Sequence, residues 1–330
     1  MNSITQAIRI DAVGGPEQLR LVEVEIGAPG PGELRLRQHA CGLNYIDVYH
    51  RNGSYPLPLP VGIGMEGAGV VEAVGDGVEH LAVGDRVAYA SAPPGAYAQV
   101  RVMPAKNVVR LPDAIDFETG AAMMLKGLTV QYLLRRTLPQ EGLAPGDFVV
   151  WHAAAGGVGL IACQWARALG LQLIGTAGSD EKCALALAHG AAHAINYNRE
   201  DFVARVKDIT GGAGVKVVYD SVGKDTFERS LDCLRPFGLL ANYGSASGAP
   251  APFNTGLLAA KGSLYLTRPT LFTHIATRER TQLMAEELFA IVASGAVKIP
   301  VERRYSLADA AQAHRDLEAR LTVGCSVLLP

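Results

Sequence analysis

"FVVWHAAAGGVGLIACQWARALG", residues 148–170, is the stretch on which the reading of the fold turns. A β-rich apolar run passes through a cluster of small residues and straight into an apolar-faced helical pattern. The small residues follow the dinucleotide turn G-x-G-x-x-G, except that Ala154 stands at the first glycine position. In such a turn Gly156 and Gly157 let the main chain close on a pyrophosphate, and Gly159 lets the helix pack on the strand. The helix N-terminus around Val158 supplies amide donors and a positive dipole. A methyl group at residue 154 is too small to block the turn. A bare structural turn is the rival reading, and the sequence that follows speaks against it.

Downstream, β-rich runs ("LQLIGTA", "AHAINY", "VKVVYD", "LLANYG") alternate with helical segments, the pattern of a parallel sheet covered by helices on both faces. Residues 1 to about 120 are different: short alternating runs such as "ITQAIRI", "ELRLRQHA" and "DRVAYA", punctuated by Gly and Pro, make a mostly β unit. "FETGAAMMLKGLTVQYLLRR" has the spacing of a long joining helix. The last 65 residues, two helical segments and the strand "GCSVLLP", are too short for a domain and are expected to return to the N-terminal β unit. The expected class is α/β, a doubly wound Rossmann sheet (residues 126–265) inserted between residues 1–125 and 266–330 of a mostly β catalytic domain.

Composition narrows the function. With 330 residues, 49 % of them hydrophobic and 19 % charged, the chain can bury a large core. A net charge of −2 with dispersed Lys and Arg lacks the footprint of a nucleic-acid binder. The five cysteines contain no C-x-x-C and read as buried thiols, against a disulfide framework or a Cys-rich zinc lobe. "MNSITQAIRIDAVGG" has neither the basic nor the long apolar region of a signal peptide, and no run approaches the length of a membrane span. A cytoplasmic protein with no membrane or specific nucleic-acid partner is expected.

The second strand of the series decides the nucleotide. NAD sites carry an acid about 20 positions after the turn, bonded to the ribose 2′-hydroxyl. Here the tip reads Ala177-Gly178-Ser179, with Lys182 one turn into the next helix. That favours NADPH, Lys182 acting as a point charge toward the 2′-phosphate; an ordinary solvated lysine is the other reading. Asp180 reads as a capping or first-turn acid.

Eight segments now carry a resemblance: "GGPEQL" (14–19), "CGLNYIDVYHRNGSYP" (41–56), "GMEGAGVVEAVGDGV" (64–78), "GDRVAY" (84–89), "LKGLTVQYLL" (125–134), "HAAAGGVGLIACQWA" (152–166), "VYDSVG" (218–223) and "LTRPTL" (266–271). The chain resembles the medium-chain dehydrogenases/reductases, and within them the zeta-crystallin-like NADPH:quinone oxidoreductases. The resemblance implies a GroES-like catalytic domain and a homodimer, and "GSLYLTRP" (262–269) is the strand suspected of pairing. It further implies cofactor contacts from Tyr197, Arg320, Ser221, Val222, Tyr243, Gly244 and Ser245, and a place near the nicotinamide for Thr129, which reads equally well as a helix hydroxyl bonded to its own backbone. Positions that hold catalytic zinc in related alcohol dehydrogenases match Asn44, Met65 and Lys126, an unsuitable donor set. His39 and Cys41, on one face of a strand, and nearby His50 lack a fourth ligand. No metal is expected.

Without a Lewis acid, acceptors that already welcome a hydride remain: quinones and activated enones, whose developing oxyanion needs only hydrogen-bond donors. "NYIDVYHRNGSY" concentrates such donors in Asn44, Tyr49 and Tyr55, with Asp47 as an orienting group or a turn cap. The expectation is a zinc-independent reductase passing hydride from NADPH to quinones. The rivals are a reductase of activated C=C bonds and a non-catalytic, crystallin-like NADPH-binding protein.

Overall fold

The structure is a computed structural model that describes residues 3–138 and 142–330. It divides into two compact units: Met1–Leu128 with His274–Ala293 and Ile299–Pro330, and Thr129–Thr273 with Ser294–Lys298.

In the first unit the N-terminal part supplies β1 (Ser3–Ile10), β2 (Arg20–Ile26), β3 (Glu33–Gly42), α1 (Tyr45–Asn52), β4 (Val61–Gly62), β5 (Glu66–Val74), β6 (Arg86–Ala90), β7 (Val100–Pro104) and β8 (Val108–Arg110). Helix α2 (Phe117–Arg136) begins here and enters the second unit after Leu128. The second unit continues through β9 (Phe148–Trp151), α3 (Gly157–Ala168), β10 (Gln172–Ala177), α4 (Asp180–Ala188), β11 (His193–Asn196), α5 (Phe202–Ile209), β12 (Val215–Asp220), α6 (Phe227–Leu231), β13 (Leu234–Asn242), α7 (Gly256–Ala260) and β14 (Tyr265–Thr267). Helix α8 (Leu271–His274) ends that run. The tail then gives α9 (Arg278–Ala293), β15 (Val301–Ser306), α10 (Ala310–Glu318) and β16 (Cys325–Leu329) to the first unit.

The tail returns because its apolar residues have no other core to enter. β16 pairs antiparallel with β3, Leu328 opposite Cys41, and β15 runs parallel beside it at the edge of a seven-stranded sheet. Leu307, Ala310, Ala313 and Leu328 bury against Ile8, Ile10, Leu43, Ile63 and Tyr97. β1 belongs to a second, three-stranded sheet with β2 and β4.

Among the described residues the second unit forms one six-stranded parallel sheet, ordered β11-β10-β9-β12-β13-β14. The chain starts in the middle, builds outward through β10 and β11, then crosses to β12, so the switch point lies between β9 and β12. Val149, Val150, Leu173, Ile174, Val217, Val218 and Leu240 have no accessible surface. Such two-sided burial explains why these strands read as apolar runs instead of alternating.

Ala154 is accommodated by a second glycine. A Cβ on Gly175 of β10 would lie 2.6 Å from the Ala154 methyl, so the side chain lost at 175 makes room for the one gained at 154. Overpacking at such a site costs on the order of 1–3 kcal/mol. Gly175→Ala is therefore expected to lower the urea midpoint, and adding Ala154→Gly to recover much of the loss; equal midpoints for the single and double variants would contradict the pairing.

Candidate functional site

The turn after β9 is built for close approach of main chain. Ala153 carries the left-handed conformation (φ 56°) that redirects the chain, and the Ala154 amide donates to the Thr176 carbonyl of β10 at 3.0 Å. A Cβ on Gly159 would fall 2.5 Å from the carbonyl oxygens of Ala153 and Ala154, so only glycine lets α3 sit this close to the turn. The N-cap of α3 is Gly156, whose lack of a side chain leaves the first-turn amides of Gly157, Val158 and Gly159 without a side-chain cap. Those amides and the helix dipole suit a phosphate.

At the tip of β10 the structure brings Gly178, Ser179, Lys182 and Tyr197 together. A Cβ on Gly178 would meet the Tyr197 hydroxyl at 2.7 Å, and Asn198 donates to the Gly178 carbonyl at 2.7 Å. Ser179 is the N-cap of α4, its hydroxyl accepting from the Lys182 amide at 3.3 Å. Asp180 is a first-turn acid, and its carboxylate is answered by Asn196 (2.7 Å) and by Arg199. These partners hold the Asp180 carboxyl below its usual range, as the Ser179 hydroxyl does for Glu181. Arg199 and Asn196 carried no signal in the sequence, because their role depends on β11 lying beside β10.

Ser221, Val222, Tyr243, Gly244 and Ser245 also converge, at the ends of β12 and β13. A Cβ on Gly244 would stand 2.7 Å from the Ser221 carbonyl. Buried Asp220 ties the two loops: its carboxylate accepts from the Val222 and Gly223 amides at 2.8 and 3.0 Å and from the Thr226 hydroxyl at 2.9 Å, and its main-chain carbonyl accepts the Tyr243 amide at 2.8 Å. Arg320 belongs to the first unit, while Lys182 and Tyr197 belong to the second. Thr129 is buried on α2.

The stretch "NYIDVYHRNGSY", for which a capped turn was the alternative to a row of donors, is mostly helical. Residues 45–52 form α1, with Asn44 as N-cap and Gly53 in the left-handed conformation (φ 82°) at the C-cap. The spacing Asn44-x-x-Asp47 before an apolar residue was the missed start signal. Asp47 is fully buried and accepts the Asn44 amide at 2.9 Å, so of its two readings, orienting group or turn cap, the structure shows a cap, on a helix and not on a turn. The Asn44 side chain is likewise committed: its Nδ2 donates to Glu66 at 2.7 Å, which corrects its reading as a donor held ready for substrate. Tyr49 and Tyr55 remain as a surface pair with ring centroids 4.9 Å apart, and Tyr45 extends the row at 5.3 Å from Tyr49.

Glu66, which the sequence did not single out, is the centre of this region. It has no accessible surface, and besides Asn44 it accepts the Leu125 amide at 2.7 Å and faces the Lys126 ammonium at 3.6 Å. Lys126 in turn donates to the Leu43 carbonyl at 3.0 Å. Burial pushes the Glu66 carboxyl up, against the pull of these donors.

Comparison with known proteins agrees with this geometry. The alcohol dehydrogenase GroES-like domain model matches residues 30–113, and the zinc-binding dehydrogenase model matches residues 157–287. A quinone oxidoreductase of Pseudomonas aeruginosa is 53 % identical over 99 % of this chain and 100 % of its own. The chain belongs to the quinone oxidoreductase family of the medium-chain dehydrogenases/reductases. Within that family, a crystal structure of the Escherichia coli quinone oxidoreductase complexed with NADPH superposes with a TM-score of 0.95, at 50 % identity, covering 98 % of this chain and 100 % of that one. A 2-haloacrylate reductase of Burkholderia is 45 % identical over 99 % of both chains.

The matching model's name includes zinc, but the residues here do not fit it. Asn44 and Lys126 are spent on Glu66, and an ammonium already stands beside that carboxylate, leaving an amide and the Met65 thioether as donors. His39 and Cys41 do not share a face: the β3–β5 register shifts between Gln38 and Ala40, leaving His39 exposed and stacked on Phe117 while Cys41 is buried with its thiol pushed up to about 12. Among the described residues no three His, Cys, Asp or Glu side chains form a group that could hold a metal ion. All five cysteines are buried and free. Lys126→Met removes the cation that stands 3.6 Å from Glu66 and is expected to cost about 3–5 kcal/mol by chemical denaturation. Adding Glu66→Gln is expected to restore much of it; a double variant no more stable than Lys126→Met would contradict the ion-pair account.

Proposed function

We propose that the chain is a zinc-independent NADPH:quinone reductase. The observation that carries this reading is the conjunction of an uncapped glycine helix start in the second unit with a β10 tip where Asp180 is neutralised by Arg199 and Asn196. The cradle fits a dinucleotide, since the Cβ atoms missing at Gly159, Gly178 and Gly244 would fill the space against main chain or Tyr197. When bound, NADPH supplies a hydride equivalent. The α3 amides would hold the pyrophosphate, Lys182 and Tyr197 would receive the adenosine 2′-phosphate, and the β12 and β13 loops at Ser221–Val222 and Tyr243–Ser245 would hold the nicotinamide half; a contact from Arg320 is implied by the family resemblance alone.

On the acceptor side, Tyr49 and Tyr55 would offer phenol groups and ring faces to a planar quinone; a place for Thr129 beside the nicotinamide is what the family resemblance implies. A phenol O–H is a hydrogen-bond donor, which suits the oxyanion that forms when a carbonyl accepts hydride. The chain's contribution is alignment plus hydrogen bonding, with the single proton that accompanies the hydride drawn from solvent. A second reading, reduction of an activated C=C bond in an acrylate or enone, is favoured by the similarity to the 2-haloacrylate reductase. We also propose a cytoplasmic homodimer that pairs through β14, the edge strand of the six-stranded sheet, where Tyr265 is exposed. Among the described residues no helix is long and apolar enough to cross a membrane.

Loss of reduced-nicotinamide absorbance tests the reading. Chelator-resistant oxidation of NADPH by a para-quinone, faster than with NADH or with an alkenal, is expected; a faster alkenal rate would select the second reading. Lys182→Ala is expected to weaken NADPH by roughly 1–3 kcal/mol while sparing NADH. Arg199→Ala, which leaves the Asp180 charge unanswered, is expected to act in the same direction and to be reversed by Asp180→Asn. Equal losses for both nucleotides would contradict the 2′-phosphate assignment.

A further inference from the structure

A chain of buried polar side chains links α10 to the N-terminus of α1 inside the first unit. Arg51 donates through Nε to the Gly14 carbonyl (3.1 Å) and makes a two-pronged contact with Glu318, at 2.9 and 2.7 Å. Its Nη1 also lies 3.1 Å from His314 Nδ1. His314 Nε2 is 3.2 Å from the Tyr97 hydroxyl, which is 2.9 Å from Asp47 Oδ2. Arg51, Tyr97, His314 and Asp47 are all buried, the last three with no accessible surface.

Proton counting gives this chain a single sense. A guanidinium only donates, so His314 Nδ1 must be the acceptor and carry no hydrogen. The imidazole is then neutral with its hydrogen on Nε2, which it donates to the Tyr97 oxygen. Tyr97, with one hydrogen, gives it to Asp47. With Asp47 ionised every link is satisfied in this order, and the donor-only Arg51 fixes the His314 tautomer whether or not Asp47 is protonated. Asp47 is thus the terminal acceptor, taking Tyr97 and the Asn44 amide on the same oxygen.

We propose that Tyr97 and His314 are positioning residues, which hold Asp47 as the anionic cap of α1 and through it fix Asn44 and the Tyr45–Tyr49–Tyr55 row. The proposal rests on the reading that this row meets the acceptor. The groups facing Asp47 are Tyr97 from the segment before β7, His314 from α10 with Arg51 behind it, Glu66 and Lys126 from β5 and α2, and Cys41 from β3. Burial is the largest influence on Asp47 and raises it to about 7, against the Tyr97 and Asn44 hydrogen bonds and the Lys126 charge. His314 is driven down to about 3 by burial and by Arg51, which agrees with a neutral ring. A carboxyl raised in the folded state stabilises the fold below the ordinary carboxylate range and loses that contribution as pH rises through about 7. The cap is therefore formed on the alkaline side of that window, and activity that needs the cap rises through it.

Two measurements test this. In the substrate-free protein, nitrogen-15 NMR of the histidine rings is expected to show His314 neutral and bare at Nδ1 from pH 5 to 9; an Nδ1–H tautomer or an imidazolium would overturn the chain. In quinone turnover, Tyr97→Phe deletes a donor to the anion, so the acid limb of kcat is expected to move up by about one pH unit. His314→Phe is expected to act likewise, while His314→Gln, which can accept from Arg51 and donate to Tyr97, restores the wild-type limb. At neutral pH, kcat falls roughly 10-fold or more in Tyr97→Phe with NADPH affinity unchanged. A variant that loses thermal stability but keeps the wild-type limb would make the chain merely structural and overturn the proposal. The acceptor reading fails separately, if Tyr49→Phe and Tyr55→Phe leave quinone kinetics untouched while the NMR result stands.

Discussion

A carboxylate sealed from water at Glu66 sets the terms for the first unit. Removing an ionised group from water costs several kcal/mol unless other groups replace the solvent. Here the replacements are the Lys126 ammonium, the Asn44 amide and the Leu125 main-chain amide, drawn from α2 and from the start of α1. Gly42 is part of the same arrangement: a Cβ there would lie 2.1 Å from a Glu66 oxygen, so the end of β3 must be bare for the carboxylate to fit. Position, charge and main-chain shape are fixed by one another. The start of α1, and with it the tyrosine row, follows from how Glu66 is satisfied.

The second unit is governed by a different constraint, the closeness of main chain to main chain. Its strands are apolar on both faces and its turns carry no bulky side chains, so the sheet can bury fully while the loops at the ends of β9, β12 and β13 remain narrow. That leaves polar main-chain groups concentrated at one end of the sheet, where a charged dinucleotide supplies what they lack. Side chains refine this at the β10 tip, where Arg199 and Asn196 answer Asp180 and the Ser179 hydroxyl answers Glu181.

The two units illustrate which parts of a site a sequence shows. The glycine turn and the Ser179–Lys182 helix start lie in local patterns whose spacing is set by strand-turn-helix geometry, whereas the residues after β12 and β13 were reached only through the family resemblance. Residues 44–55 were misread in structure, because eight residues of α1 are too few to show a helical period and the caps at Asn44 and Gly53 were passed over. Glu66, Tyr97, Arg51 and His314 were invisible for another reason. Each is unremarkable among its sequence neighbours, and what makes it significant is a partner between 22 and 267 residues away.

By itself, then, the sequence determined the class of fold, the order of the sheet-forming runs, the cofactor turn with its alanine, and the absence of a zinc-type donor set at residues 44, 65 and 126. Those are properties of local spacing and residue chemistry, which a linear string records. Tertiary structure alone decided that Gly175 makes room for Ala154, that a bulge in β3 parts His39 from Cys41, that Asn44 is spent on Glu66, and that protons run from Arg51 to Asp47 in one sense. Each depends on elements distant in the chain meeting within hydrogen-bond or van der Waals distance, and the energies that matter there arise only once water has been excluded between them.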